Sequence, residues 1–196
     1  QINMNFNYKI IVLLIVFSCN IVSSQFVKKH GQLSLKGTQI VDKNQNPIVL
    51  RGVSLGWHSM WPRFYNEKAV GWLSKDFKCN VVRAAMGIEA GAHSYMKEPE
   101  FSKDKIETVI KGAIKSDIYV IIDWHSHNIN LKEATVYFDE ISKKYGKYPN
   151  VIYEVFNEPD NETWSEVKAY SEAIIKVIRA NDPDNVILVG SPRWDQ

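Results

Sequence analysis

Short apolar, β-branched runs alternate with longer stretches of helical periodicity along most of this chain. The strand-like runs are residues 48–53, 80–86, 118–125, 151–156 and 185–190. The helix-like stretches between them are residues 67–77, 102–115, 131–145 and 163–179. Successive strands begin roughly 30 to 38 residues apart, close to the length of one β-crossover-β unit. Such an alternation predicts an α/β fold with a parallel sheet that helices cover on both faces.

Units of this kind occur either in a doubly wound sheet or in a β/α barrel. A complete eight-stranded barrel takes about 250 residues, whereas the chain has 196 residues. We therefore predict the N-terminal part of a (β/α)8 TIM barrel, with about five β/α units present and roughly 100 residues of the barrel outside the chain. Loose alternation over residues 33–41, followed by turn-forming residues 42–47, predicts a short β-hairpin that leads into the first main strand.

The first residues are typical of a secretory signal peptide. Met4 is followed by Lys9, by a continuously apolar run over residues 10–17 and by small residues that end at Ser24. The apolar run is too short to span a membrane. We predict that residues 1–25 are a signal peptide with upstream residues and that residues 26–196 are the catalytic domain. The protein is then secreted, extracellular or periplasmic, with lipid attachment at Cys19 as the alternative.

Polar and aromatic side chains collect where the predicted strands end. After the successive strands these are Trp57, His58, Ser59, Met60 and Trp61; Arg83 and Met86; Asp123, Trp124, His125 and His127; Asn157 and Glu158; and Trp194 and Gln196. In a β/α barrel all of these ends face one mouth. Aromatic rings can stack on sugar rings, and acetal hydrolysis needs a carboxylic acid and a second carboxylate. The strand ends therefore predict a sugar-binding mouth, with Glu158 as the acid and Asn157 beside it.

The run Val151-Ile-Tyr-Glu-Val-Phe-Asn-Glu-Pro159 resembles the Asn-Glu-Pro signature of glycoside hydrolase family 5, the cellulase family. Residues 51–54, 80–83 and 122–125 resemble its other strand-end motifs in the same order, and residues 191–196 resemble its strand-five end. The similarity runs from about residue 33 to the terminus and is closest to the bacterial endo-β-1,4-glucanases. It implies a retaining enzyme that acts on a β-glucan polysaccharide and uses no metal or other cofactor.

The resemblance also implies roles for individual residues. Glu158 is the general acid/base, and Asn157 binds the 2-hydroxyl of the sugar that is cleaved. Arg83 holds the active-site carboxylates in place, and His125 hydrogen-bonds the same sugar. The remaining residues expected to bind substrate are Trp61, as a stacking platform, His58, whose local spacing differs from the family's, and Trp194 at the strand-five end.

A retaining enzyme needs two carboxyl groups about 5–5.5 Å apart. Glu154 lies on the strand of Glu158 but about 13 Å from it along the chain, and we expect it to be satisfied by a neighbour such as Arg83. Asp123 is expected to be buried and structural. The family places the nucleophile on a glutamate at the end of strand seven. We therefore expect the 196-residue chain alone to lack full activity.

Two other functions remain open from the sequence. His125 and His127 form a His-x-His pair, as in metal-dependent hydrolases, although the chain has five histidines and none after His127. A non-catalytic carbohydrate-binding barrel could use the same scaffold. The residues do not distinguish cellulose, mixed-linkage glucan, xyloglucan and mannan as the polysaccharide.

The remaining expectations concern partners and the core. The net charge of +2 gives no strong electrostatic field that would attract nucleic acid, and we expect a monomer that has no membrane contact once the signal is removed.

Cys79 is predicted to be a small buried hydrophobe. Trp72, at helical spacing, is predicted to be part of the core.

Overall fold

The computed structural model describes residues 25–196, so the predicted signal peptide, with Cys19, lies outside the described residues. The strands are β1 (Ser34–Lys36), β2 (Gln39–Val41), β3 (Gly52–Trp57), β4 (Val81–Gly87), β5 (Tyr119–His125), β6 (Val151–Glu154) and β7 (Ile187–Leu188). The helices are α1 (Phe26–His30), α2 (Glu67–Asp76), α3 (Pro99–Lys115), α4 (Leu131–Tyr145), α5 (Trp164–Arg179) and the short α6 (Pro192–Asp195), with a 3-10 turn at Pro62–Phe64. Among the described residues, no helix is both long and apolar enough to cross a bilayer.

The main sheet has five strands in the order β3-β4-β5-β6-β7, and each neighbouring pair is parallel. Because the spatial order equals the chain order, the carboxyl ends of β3 to β6 come together at one edge of the sheet. β4 and β5 pair along their full lengths, whereas β7 adds only two residue pairs to β6. The predicted alternation of strands and helices is confirmed.

The core lies between the sheet and helices α2 to α5. Fully buried aromatic rings occupy its centre, namely those of Trp124, Tyr137, Phe138, Tyr153 and Phe156. These rings meet mainly edge-on or tilted, with centroids 5.5 Å apart for Trp124 and Tyr137, as aromatic pairs prefer. This packing gives the strand ends a rigid base.

The hairpin is present, but its turn differs from the expected one. β1 and β2 pair antiparallel and turn at Gly37, inside the run predicted to be a single arm. Residues 42–47 form a separate turn, in which Asp42 Oδ1 accepts hydrogen bonds from the backbone N–H groups of Asn44 (2.8 Å) and Asn46 (3.1 Å). Residues 48–51 lie outside the strands, so the first main strand begins only at Gly52.

Helix α3 begins earlier than predicted. Pro99 occupies its first turn, where a missing N–H costs nothing. Ser102, the expected cap, lies inside the helix, and its hydroxyl donates to the carbonyl of Glu98 at 2.9 Å. Helix α5 begins at Trp164, one residue after the predicted start, because Thr163 is its N-cap and forms a capping box with Glu166.

Two core predictions had opposite outcomes. Cys79 is a buried free cysteine, as predicted, and burial raises the pKa of its thiol. Trp72 is 54% exposed, so its assignment to the core was wrong. Its ring lies on the outer side of α2, edge-on to the ring of Phe77 at 4.7 Å between centroids. Helical periodicity identifies the positions that share one face of a helix, but it does not show which face is buried.

Candidate active site

Arg83, in the middle of β4, brings together side chains from β5 and from the end of β6. Its Nε donates to Glu154 Oε2 at 2.7 Å, and its Nη2 donates to Glu154 Oε1 at 2.8 Å. The same Nη2 lies 2.9 Å from Asp123 Oδ2 and 2.6 Å from Asn157 Oδ1. The planar guanidinium fork matches a carboxylate in this two-point geometry. The predicted contact between Glu154 and Arg83 is confirmed.

His125, at the end of β5, is oriented by Asp123 two residues earlier. Its Nδ1 lies 2.7 Å from Asp123 Oδ2, so the ring donates that proton and keeps Nε2 for another partner. Burial and the nearby Arg83 cation lower the pKa of His125 to about 4, which makes the ring neutral at pH 7. Asp123 is fully buried, as predicted, and burial raises its pKa while Arg83 opposes that rise.

The carboxylate of Glu158 differs from those of Asp123 and Glu154 because it reaches solvent. Its side chain is 47% exposed, compared with 0% for Asp123 and 15% for Glu154. Within residues 25–196, its one ion-pair contact is with His127, whose Nδ1 lies 3.9 Å from Glu158 Oε2. The Glu158 carboxylate is therefore open to contact with a ligand at the mouth.

Asn157 lies beside this carboxylate and is nearly buried. Its Oδ1 is taken by Arg83, whereas its Nδ2 has no hydrogen-bond acceptor among the described residues. The Asn157 segment packs directly on Gly190, which follows β7. A Cβ at position 190 would lie 2.6 Å from the carbonyl oxygen of Phe156 and 3.1 Å from that of Asn157. Only glycine allows this close approach without displacing the segment.

Exposed tryptophans stand at the first and last strand ends, as the sequence suggested. Trp61 is 49% exposed and Trp194 is 54% exposed. The Trp194 N–H donates to the carbonyl of Pro159 at 3.0 Å, so this residue is joined to the segment of Glu158. Trp57, to which the sequence gave no separate role, places its ring 4.7 Å from that of His125. These rings are apolar surfaces on which a sugar could stack.

His58 is not available to a substrate, which corrects its assignment as a binding residue. The ring is fully buried, and its Nδ1 accepts a hydrogen bond from the Gly87 N–H at 3.1 Å. Its Nε2 therefore carries the proton and donates to the carbonyl of His93 at 2.9 Å, with Ser102 Oγ at 2.8 Å. The ring ties the loop after β3 to the loop after β4 and to α3.

The buried His58 predicts a loss of stability on acidification. Burial lowers its pKa from 6.5 to about 4, so between these values the unfolded state binds the proton more tightly than the folded state. The free energy of unfolding should therefore fall as pH drops from 6.5 towards 4, by up to about 1.4 kcal/mol per pH unit from this residue.

Urea unfolding of the full-length protein across this pH range checks the prediction. The wild-type protein and a His58→Gln variant, whose amide does not titrate, are compared. The variant should be less stable at pH 7 and should show a smaller loss between pH 6.5 and 4. Equal pH slopes for the two proteins would contradict a neutral buried His58.

The mouth combines several kinds of side chain. In the described part of the chain, no group of three His, Cys, Asp or Glu side chains is placed to hold a metal ion. His125 and His127 instead flank Trp57, and their ring centroids are 6.0 Å apart. Glycoside hydrolysis uses carboxyl groups such as the half-exposed Glu158. The amide donor and the neutral histidine offer hydrogen bonds to a sugar, and the exposed indole rings offer apolar faces.

Comparison with known proteins gives a consistent result. A family model described as cellulase, glycosyl hydrolase family 5, matches residues 41–196. Endoglucanase Z of Dickeya dadantii is 44% identical over 170 residues, which are 84% of this chain and 39% of that protein. A solved structure from Cytophaga hutchinsonii superimposes with a TM-score of 0.84 at 44% identity, covering 87% of this chain and 56% of the other.

A third relative was solved with a sugar bound. It is a variant of the catalytic domain of a Thermobifida fusca endoglucanase in complex with cellotetraose, with a TM-score of 0.80 at 33% identity and coverage of 86% of this chain and 56% of that one. This chain spans about two fifths of the length of the curated relatives it matches, 39% and 38% for the first two. Together with the parallel sheet, these matches confirm the predicted fold, the N-terminal part of a (β/α)8 barrel.

Proposed function

Because this chain belongs to the cellulase family, glycosyl hydrolase family 5, we propose that the full-length protein hydrolyses internal links of β-1,4-glucan chains. The observation that carries the proposal is the contrast among the carboxylates at the mouth. Asp123 and Glu154 are paired with Arg83, whereas Glu158 is half-exposed and next to Asn157. The relatives named endoglucanases and the bound cellotetraose of one of them support a glucan as the substrate.

In the proposed reaction, Glu158 protonates the oxygen that leaves when the glycosidic bond breaks. Asn157 binds the 2-hydroxyl of the sugar at that bond, and the Nε2 atom of the neutral His125 accepts a hydrogen bond from a second hydroxyl of this sugar. The exposed rings of Trp61 and Trp194 stack on glucose units along the chain. Arg83 holds the Asn157 side chain and the buried carboxylates of Asp123 and Glu154 in place.

The proposal includes retention of the anomeric configuration, which requires a second carboxylate about 5–5.5 Å from the acid. Asp123 and Glu154 do not suit this role because Asp123 is fully buried, and Glu154 lies about 13 Å from Glu158 along the strand. We infer that a glutamate at a seventh strand end of the full-length protein is the nucleophile. The 196-residue chain on its own is then expected to lack full hydrolytic activity.

The proposal is tested by assaying the purified full-length protein on carboxymethyl cellulose, mixed-linkage glucan, xyloglucan and mannan. An endo-β-1,4-glucanase should lower the viscosity of the cellulose derivative early, while few reducing ends have formed. Proton NMR of the first products should show the β-anomer if configuration is retained. Activity that disappears with a chelator and returns with zinc would favour a metal-dependent hydrolase, and glucan binding without cleavage would favour a binding barrel.

Export and assembly are part of the same proposal. The apolar run over residues 10–17 and the small residues after it support secretion with removal of the signal near Ser24 or Gln25. The secreted protein is expected to be a monomer. Amino-terminal sequencing and size-exclusion chromatography of the secreted protein check both points, and a lipid-modified Cys19 at the mature terminus would contradict soluble secretion.

A further inference from the structure

Glu158 is held through its backbone by the loop between β5 and α4. Its N–H donates to the carbonyl of Ser126 at 3.4 Å, and its own carbonyl accepts a hydrogen bond from the Nδ1–H of His127 at 3.1 Å. The Glu158 carboxylate itself is half-exposed, and its contact within the described residues is the longer one with His127. The position of this carboxylate therefore depends on where the β5–α4 loop, residues 126–130, is fixed.

Glu89, in the loop after β4, fixes that loop. The fully buried Ser126 hydroxyl lies 2.5 Å from Glu89 Oε1 and 2.6 Å from the carbonyl of Asn128. Its single proton is best directed to the carboxylate, the stronger acceptor. The same Glu89 oxygen accepts from Asn130 Nδ2 at 2.6 Å, and the Ser126 hydroxyl accepts from the Asn128 N–H at 3.1 Å. One carboxylate oxygen thus joins both ends of the β5–α4 loop.

We propose that Glu89 is a positioning residue for glycoside cleavage. Through Ser126 it fixes the β5–α4 loop, and this loop in turn fixes Glu158 through the two hydrogen bonds that the Glu158 backbone makes with the Ser126 carbonyl and the His127 ring. The inference rests on the proposed role of Glu158 as the general acid. Glu89 lies in the loop after β4 and acts on Glu158, after β6, through the β5–α4 loop. The Glu89 oxygen Oε1 accepts hydrogen bonds from Ser126 and Asn130.

Substrates with different leaving groups can distinguish a positioning role of Glu89 from a purely structural one. A sugar hydroxyl is a poor leaving group and needs a proton from Glu158, whereas 2,4-dinitrophenolate leaves without one. A displaced Glu158 should therefore slow the cleavage of cello-oligosaccharides and of phenyl β-cellobioside but not of 2,4-dinitrophenyl β-cellobioside. A general loss of folded enzyme would lower kcat/KM for all of these substrates by the same factor.

The experiment compares variants of the full-length protein on these substrates. Glu89→Ala and Ser126→Ala should each lower kcat/KM for cello-oligosaccharides by about 10- to 100-fold and leave the dinitrophenyl substrate nearly unaffected. Glu89→Gln should retain most activity because its carbonyl oxygen can still accept from both donors. Glu107→Ala is the matched control. Glu107 is also a partly buried carboxylate, with Lys111, Lys144 and Tyr145 as partners, but it lies between α3 and α4.

The outcomes distinguish the inference from the proposed function. Equal losses on both kinds of substrate, or no loss in Glu89→Ala and Ser126→Ala, would overturn the positioning role of Glu89. If Glu89→Ala folds poorly, Ser126→Ala gives the same comparison after removal of a single oxygen. If Glu158→Gln keeps its glucan activity, the proposed function fails, whatever the Glu89 variants show.

Discussion

Replacing Glu158 with glutamine is expected to lower kcat/KM for β-1,4-glucan by about 10²- to 10⁴-fold, the usual contribution of a general acid. Glutamine has the size of glutamate and preserves the two backbone hydrogen bonds to Ser126 and His127. It cannot give a proton to the leaving oxygen. Initial rates of reducing-end formation by the full-length protein, over a range of substrate concentrations, measure the loss.

The matched control for this change is Asp160→Asn. Asp160 is a carboxylate two residues further along the same loop and is also partly exposed. Its replacement should have little effect on kcat/KM, because no substrate contact is assigned to it. A Glu158→Gln variant that hydrolyses glucan at the wild-type rate would show that the acid is another group, and Asp160 would then be the first candidate.

Replacing Arg83 with methionine is expected to give the largest loss of stability, about 3–5 kcal/mol in the free energy of unfolding. Methionine fills much of the same volume but leaves Glu154 and the fully buried Asp123 without their cation. Asn157 would also lose its donor at 2.6 Å, so we expect activity to fall in the protein that remains folded. Urea unfolding followed by tryptophan fluorescence measures the stability change.

Two comparisons make the Arg83 prediction specific. Glu154→Gln should cost less than Arg83→Met, because Arg83 then keeps Asp123 and Asn157 as partners. Lower pH should also reduce the deficit of Arg83→Met. Burial raises the pKa of Asp123 in the folded protein. Without Arg83, the buried and ionised carboxylate of Asp123 destabilises the fold at neutral pH. Acidification protonates this carboxyl group and so removes part of the deficit. A deficit that grows on acidification would contradict this account.

The alternation of strands and helices could be predicted from the sequence because the central strands, β4 to β6, are almost entirely buried and therefore apolar on both faces. An apolar run such as residues 118–125 is expected to form a buried strand. The strands that precede and follow it in sequence are also its neighbours in the sheet. The order of the strands then brings Arg83, His125 and Glu158 to one edge. The contact between Arg83 and Glu154 could be anticipated because both lie on strands of the same sheet.

The errors at the site concern side chains whose surroundings come from distant loops. His58 follows the first strand, as a site residue would, but its partners Gly87, His93 and Ser102 lie 29 to 44 residues further along the chain. Glu89 gave no signal at all, since its bonds to Ser126 and Asn130 depend on how two loops are folded together. Sequence spacing predicts which strand end a residue follows but not which way its side chain turns.

The close packing against Gly190 has a consequence for protein engineering. A residue with no side chain cannot contribute a contact to glucan, and a library built from contact residues would leave position 190 out. Yet a single methyl group there would overlap the carbonyl oxygen of Phe156 and the Cδ atom of Pro159. Redesign of the segment that carries Glu158 should therefore vary this position and residues 156–159 jointly, because the space available to one is set by the other.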